Sequence, residues 1–566
     1  MDRPSKRTRI SSFEHHPPTT DPAYRDTLTA ENNGLASLRR SITPPPPPRR
    51  QKSTSTTAVP DGVKATELPK QKQIPTTTHS SPIQLTHIRD LPASSGNNVD
   101  TVRLRDILED PMIRECWQFN FLIDVDFLMS QFDEDVRDLM KVKVVHGSWK
   151  RDAPNRIRID EQCSRYPNVE PIVAYMPEPF GTHHSKMMIL LRHDDLAQVI
   201  IHTANMIPGD WANMTQAVWR SPLLPLLPNT STSEGTGGYG SGTRFKRDLL
   251  SYLNAYGRQK TGPLVKQLER FDFRAVRAAL IASVPLKQKA ETMDAKRQTL
   301  WGWPALKDIL RHVPLAPHSG TAHIVLQQIS SIASLGQTDK WLNDIFFDSL
   351  AQYSSPTPRP RFSIIFPTPD EIRRSLNGYG SGGSIHMKTQ SAPQQKQLQY
   401  MRPYLRQWAG DSDFGLETSS AEAESIPRRE AGRRRAAPHI KTYIRFSDAG
   451  MESVDWAIVT SANLSTQAWG AAVNAQREVR ICSWEIGVVV WPGLYVDGSP
   501  ETKTAKMVPC FKQDRPAETK SGLEDVLVGF RMPYDVPLTP YRPRDEPWCA
   551  TASHPEPDWL GQTWDG

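Results

Sequence analysis

The chain has 566 residues, five cysteines and a formal net charge of +7. Its length allows more than one core, since domains commonly run ~100–200 residues, and the mild basicity favours a polyanionic partner. The cysteines are scattered without a CxxC pair, which argues against a disulfide framework or a zinc site and for a reducing compartment; no apolar run approaches the ~18 residues of a membrane-spanning helix, and the opening Met1-Asp2-Arg3-Pro4 lacks a signal-peptide core.

Residues 1–80 read as a disordered basic tail rich in Ser, Thr and Pro, with proline from Pro44 to Pro48. Such a stretch buries too little apolar surface to offset chain entropy. Within it Lys6-Arg7-Thr8-Arg9 reads either as a nuclear-import signal or as a solvated basic tail. Short apolar runs bounded by turns follow at 142–145, 172–175, 187–191, 199–201 and 279–283, with helical patterns at 133–141 and 245–256. The alternation resumes after residue 288, with runs at 322–327, 362–366, 457–460 and 486–491. Strands alternating with helices predict an α/β fold, divided into a first domain over 81–287 and a second over 288–566. Two insertions, 229–242 and about 410–437, interrupt the pattern and read as mobile.

The organising feature is an internal repeat. Copy one runs His184-Ser-Lys186, strand, hairpin, strand, Thr203-Ala-Asn205, then Trp211. Copy two runs His439-Ile-Lys441, strand, hairpin, strand, Ser461-Ala-Asn463, then Trp469. Residues i and i+2 of a strand point to one side, so each copy delivers an imidazole and an ammonium together, with the Asn beside them. Two such sets facing each other suit phosphoryl transfer without a metal. A third His-x-Lys, His386-Met-Lys388, has no following strand or Asn element and reads as structural or surface. His183 points away from His184 and reads as packing.

These residues carry a resemblance. The doubled motif, with Glu178-Pro-Phe180-Gly, Asp210-Trp-Ala-Asn-Met-Thr-Gln216, Gln328-Ile-Ser330-Ser331 and Trp484-Glu485-Ile-Gly, resembles the tyrosyl-DNA phosphodiesterase branch of the phospholipase D superfamily from about residue 82 onward. The general superfamily carries an Asp five positions after the Lys. Here Leu191 and Phe446 occupy those positions, which argues against a lipid-type enzyme. The resemblance implies two similar α-β-α domains related by a pseudo-twofold axis, each giving one motif to a shared cleft.

It also implies roles: His184 as nucleophile forming a phosphohistidine, His439 as general acid and then base, and Lys186, Lys441, Asn205 and Asn463 on the phosphoryl oxygens. Gln216 and Glu485 would support the two histidines, with the pairing left open. Phe180 would stack on a base or pack in the core. Ser330, Ser331, Ser384 and Ser465 would contact the DNA backbone or cap turns. The loop 378–384 would wrap a phosphate or simply turn, and Lys246 and Arg247 would follow a phosphate track or a solvated helix face. The implied substrate is single-stranded or duplex DNA joined through its 3′ end to the tyrosine of a trapped type IB topoisomerase fragment, and the product a 3′-phosphate. No cofactor, metal or membrane is expected, and the resemblance implies a nuclear monomer. Another superfamily nuclease or lipid phosphodiesterase, or a retired DNA-binding protein, is the alternative.

Overall fold

The computed structural model describes residues 76–228, 237–315, 321–327, 332–352, 358–410, 427–497, 503–517 and 525–566. The expectations for the tail up to residue 75, for Ser330 and Ser331, and for most of both insertions therefore lie outside the described residues. The strand Thr77–His79, inside the stretch expected as tail, pairs with Val526–Val528.

Two sheets carry the repeat. In the seven-stranded sheet, Ala217–Arg220, Ala197–His202, Met187–Arg192 and Ile113–Phe119 are successively antiparallel, and Lys141–His146 and Val169–Val173 continue in parallel. In the ten-stranded sheet, Glu485–Val490, Val454–Thr460, Thr442–Phe446 and His323–Gln327 are antiparallel in the same order, and Arg361–Ile365 and Leu405–Arg406 continue in parallel. The halves thus correspond strand for strand. The correspondence extends outward, because Ile83–Leu85 pairs with Ala217–Trp219 as Ala279–Ser283 pairs with Glu485–Val489. The strand 279–283, before the expected domain boundary at 287, thus belongs to the second sheet.

Strand Met187–Arg192 is apolar on both faces because both are covered. Met187, Ile189 and Leu191 enter a core that continues through Phe245, Leu249 and Tyr252 to Ile444 and Val459, whereas Met188 and Leu190 pack with Val142, Val144 and Ile200. Truncating one such side chain costs about 2–5 kcal/mol, so the strands hold the motifs firmly. Leu191 and Phe446 are completely buried in this core.

Helix Gly242–Ala255 is capped by Ser241, whose Oγ accepts from the Arg244 amide at 3.3 Å. It supplies Tyr252, and Tyr256 follows at its C-terminal end. The Tyr256 hydroxyl meets His183 Nε2 at 2.9 Å and Ser185 Oγ at 3.2 Å, and Tyr252 also bonds Ser185. Trp484, from the other half, stacks on Tyr256 at 3.8 Å between ring centroids. This polar and aromatic interlock fixes both sides of the first motif.

The predicted helix over 133–141 does not form. The chain turns repeatedly there, and a strand begins at Lys141. The Asn168 side-chain amide donates to the carbonyls of Arg137 and Met140 at 2.7 and 2.8 Å, diverting acceptors a helix would use. The described end of the second insertion, 427–437, is docked rather than mobile. Ala431 N and Arg434 Nε donate to Asp535 at 2.7 and 2.6 Å, and buried Arg433 donates to Thr86 O at 2.7 Å.

Burial also sets an acid response. It pushes His146 and His323 down to about 4, and His183 and His202 down to about 3. An unfolded histidine titrates near ~6.5, so below that pH the unfolded chain binds more protons than the folded one. The stabilisation is complete above ~6.5 and is lost as pH falls toward the folded values, at up to ~1.4 kcal/mol per pH unit per group. The melting temperature should therefore fall steadily from pH 6.5 to 4.5, and fall less in His183→Gln. A flat profile over that range would refute the burial argument.

Candidate active site

The motif residues lie just before their strands, in extended segments clamped by the opposite half. The His184 amide donates to Trp484 O at 3.0 Å, and the His439 amide donates to Thr215 O at 3.1 Å. Gly181 makes the first approach possible, since a Cβ there would sit 2.0 Å from Cys482 O. Trp484 and Thr215 immediately precede Glu485 and Gln216, so each half hands its polar residue to the other half's histidine. The pairing left open by sequence is thereby resolved.

His184 Nδ1 lies 2.9 Å from Ser461 O and 3.1 Å from Glu485 Oε2. Both are acceptors, so Nδ1 carries the proton and Nε2 presents its lone pair. The Lys186 ammonium stands 3.0 Å from that Nε2. Ser461 Oγ donates to Glu485 Oε2 at 2.5 Å and holds the carboxylate in place.

His439 has a partner that sequence reasoning missed. Asp210 Oδ2 lies 3.0 Å from His439 Nδ1, and Gln216 Nε2 lies at the same distance from that nitrogen. The Thr203 hydroxyl accepts from Ala217 N and donates to Gln216 Oε1 at 2.7 Å, which aims the amide nitrogen of Gln216 inward. That nitrogen also reaches Asp210 Oδ2 at 3.2 Å. The consistent pattern has His439 Nδ1–H and the Gln216 amide both donating to Asp210, with His439 Nε2 facing Lys441 Nζ at 3.3 Å. The available signal was Asp210 itself, placed just before Trp211 within the quoted segment. Asp210 Oδ2 also accepts from the Asn205 amide at 2.6 Å, which ties the first Asn element to the second histidine.

Both lysines are fully buried. Burial brings Lys186 down to about 8, and burial together with Lys186 holds Lys441 well below its ordinary range. Burial and then Lys186 push His184 down to about 4 against the pull of Glu485; burial and then Lys441 push His439 down to about 3 against Asp210. Asp210 is itself held below the usual carboxylate range, with His439 the leading cause against its burial. A cleft with two crowded ammonium groups and two neutral imidazoles is primed for an anion, whose arrival would raise all four values.

A cavity of about 380 Å³ opens over this cluster, lined by His184, His439, Asn205, Asn463 and Glu485 together with Phe121 and Phe180. A larger groove, about 550 Å³, runs along the 169–173 edge strand and contains none of the repeated residues. Phe180 is 78% exposed at the cavity, so it is not a core residue. Ser384 and Ser465 line the cavity too, and Ser465 also caps a helical turn through the Ala468 amide at 3.0 Å. His386, read as structural or surface, is half-buried and lines the same cavity.

Loop Gly378–Ser384 is a packed 3₁₀ turn, in which a Cβ on Gly382 would lie 2.2 Å from the Trp548 ring. Lys246 is buried and donates to Glu269 O at 3.0 Å, so it belongs neither to a solvated face nor to a phosphate track. His183 bonds Asn120 O at 3.1 Å, away from the cavity, as expected. Among the described residues no group of three or more His, Cys, Asp or Glu side chains is arranged to hold a metal ion.

The sequence family described as "Tyrosyl-DNA phosphodiesterase" matches residues 82–542. A probable tyrosyl-DNA phosphodiesterase of Schizosaccharomyces pombe is 30% identical over 86% of this chain and 95% of its own length. Tyrosyl-DNA phosphodiesterase 1 of Drosophila melanogaster is 31% identical over 83% of this chain and 71% of its own. Among solved structures, that of the yeast tyrosyl-DNA phosphodiesterase superposes with a TM-score of 0.55 at 21% identity, over 82% of this chain and 98% of its own, a likeness of fold.

Proposed function

This chain belongs to the tyrosyl-DNA phosphodiesterase family, and from that premise we propose that it is a DNA-repair hydrolase that cleaves the bond between a DNA 3′-phosphate and the tyrosine of a trapped type IB topoisomerase. The carrying observation is the paired arrangement of the histidines. Each Nδ1 rests on a carboxylate from the other half, and each Nε2 faces a lysine beneath one cavity.

In the proposed reaction the His184 Nε2 lone pair attacks phosphorus and the bond to the tyrosyl oxygen breaks. His439 Nε2–H protonates the departing phenolate. Water then attacks the phosphohistidine, giving its proton to His439 Nε2, and the P–N bond breaks to release a DNA 3′-phosphate and free His184. Lys186, Lys441, Asn205 and Asn463 stabilise charge on the non-bridging oxygens; losing one such donor typically costs ~3–4 kcal/mol. These groups supply the electrophilic role, so the scheme uses no divalent cation. The absence of an Asp at the positions of Leu191 and Phe446 favours a phosphotyrosyl over a lipid substrate. A nuclear monomer completes the proposal.

The test is cleavage of a 3′-phosphotyrosyl oligonucleotide with a chelator present, beside plain DNA and phosphatidylcholine. Conversion to a 3′-phosphate end is expected from the first substrate alone. Strict dependence on added magnesium would overturn the metal-free scheme. Preference for the lipid, or turnover of nothing, would favour the alternatives.

A further inference from the structure

The second sheet ends in a groove separate from the catalytic cleft. Its last strand, Leu405–Arg406, pairs only with Ile364 and Ile365, so among the described residues the Arg361–Ser363 half of the neighbouring strand is left uncovered on that side. A cavity of about 360 Å³ opens there, lined by Arg359, Arg361, Arg406, Phe347, Phe362 and Tyr404. It shares no lining residue with the cavity over His184 and His439. Arg361 pairs with His323 and His323 with Phe446, whereas Lys441 precedes Thr442, which pairs with Gln327 at the other end of the same strands, roughly 13 Å away.

Two kinds of lining meet in the groove. The Phe347 and Phe362 rings stack at 3.9 Å between centroids, and Tyr404 meets Phe347 edge-on at 5.2 Å. The Tyr404 hydroxyl donates to Asn343 Oδ1 at 3.2 Å, which fixes a flat, half-buried ring at the cavity. Beside the rings stand three guanidinium groups. Among the described residues they bond only to carbonyls: Arg359 to Asn343 O at 2.7 Å, and Arg406 to Pro403 O and Leu405 O at 3.0 and 2.8 Å, while Arg361 makes no hydrogen bond. No acidic side chain lines the cavity. Arg406 is half-buried, and burial holds it below its usual range; burial, then Arg406 and Arg361, depress the neighbouring His323. Charges withdrawn from water are ordinarily paired, so this cluster calls for an anion.

A guanidinium grips a phosphate through two parallel donors, and an aromatic ring takes a base on its face. The cavity exceeds the size of a bare phosphate and falls within the ~300–1,000 Å³ of ligand pockets. We infer that this groove binds a nucleoside phosphate, with the phosphate held by Arg361 and Arg406 and the base against Tyr404. A free mononucleotide and one unit of a DNA strand offer this same chemistry, and the test separates them. The site does not depend on the reaction proposed for the cleft.

The test is photolabelling of the full chain with 8-azido-2′-deoxyadenosine 5′-monophosphate, followed by mapping of the labelled peptides. Label is expected on the peptide containing Tyr404. Arg361→Glu and Arg406→Gln should each raise the half-saturating concentration at least about 10-fold, the scale of a hydrogen bond between charged groups. Arg361 is exposed, so Arg361→Glu decides the matter even where Arg406→Gln lowers the melting temperature. As a competitor, 2-deoxyribose 5-phosphate, which lacks the base, should need at least about 5-fold more than the unlabelled nucleotide to protect, and inorganic phosphate more still. A single-stranded oligonucleotide that protects at a strand concentration at least about 10-fold below that of the mononucleotide assigns the site to DNA, since a strand brings further phosphates; weaker protection assigns it to the free nucleotide. No label in the groove, label indifferent to Arg361→Glu, or equal protection by inorganic phosphate and nucleotide would overturn the inference, the last leaving an adventitious ion only. Better protection by a polyglutamate peptide than by either nucleotide source would also overturn it, in favour of an acidic protein partner.

Discussion

His439→Ala is expected to lower steady-state turnover of 3′-phosphotyrosyl DNA by about 10³-fold and to leave a covalent DNA adduct on His184. Positioned acid–base help is worth ~10²–10⁴-fold, but the two steps need it unequally. The first expels a phenolate whose conjugate acid has a pKa of ~10, a fair leaving group without protonation. The second must activate water against a phosphohistidine, and it has no other base at hand: Glu485 is engaged by His184 and Ser461, and Asp210 by His439, Gln216 and the Asn205 amide. Loss of His439 therefore slows the second step more than the first, and the intermediate accumulates. A denaturing gel should show a protein–DNA band that is acid-labile and base-stable, as a phosphohistidine is, with the label on the peptide containing His184. His184→Ala should give deeper loss and no band. An adduct on His183 or His439, or equal loss without any adduct, would refute the assignment.

The repeat made the centre of the site legible in the sequence, and the structure shows why. Period-2 geometry puts His and Lys on one side, and strands covered on both faces read as apolar runs such as 187–191 and 457–460. Cross-half pairing was not legible. Residues 216 and 485 are assigned to histidines more than two hundred positions away by the bridges from Trp484 and Thr215, which leave no trace in local pattern. The helix expected over 133–141 failed for the same kind of reason, since the distant Asn168 claims its carbonyls. The place of His386 at the cavity was not legible either, because its segment is held by single bridges to Ile332 and through it to Leu464, too short to give a strand signature.

Asp210→Asn should cost about 10²-fold in kcat and move the alkaline limb of its pH profile toward acid. Asp210 is the carboxylate at His439 Nδ1 and opposes the burial and the Lys441 charge that depress that imidazole. Removing the anion destabilises the imidazolium, so its pKa falls and the proton needed by the departing phenolate is lost at lower pH. The limb that reports this loss must shift down, and an upward shift has no explanation in this geometry. Asparagine retains an oxygen that can accept from the Asn205 amide, which keeps the strand end in place and confines the effect to charge. Glu485→Gln provides the contrast. It lowers the His184 value further, but that group already acts as the neutral base, so its pH profile should change little while the nucleophile becomes less basic and adduct formation slows. Rapid-quench measurement of adduct formation and decay separates the two cases. A wild-type profile in Asp210→Asn would mean that Gln216 alone orients His439 and that the buried carboxylate serves only the Asn205 turn.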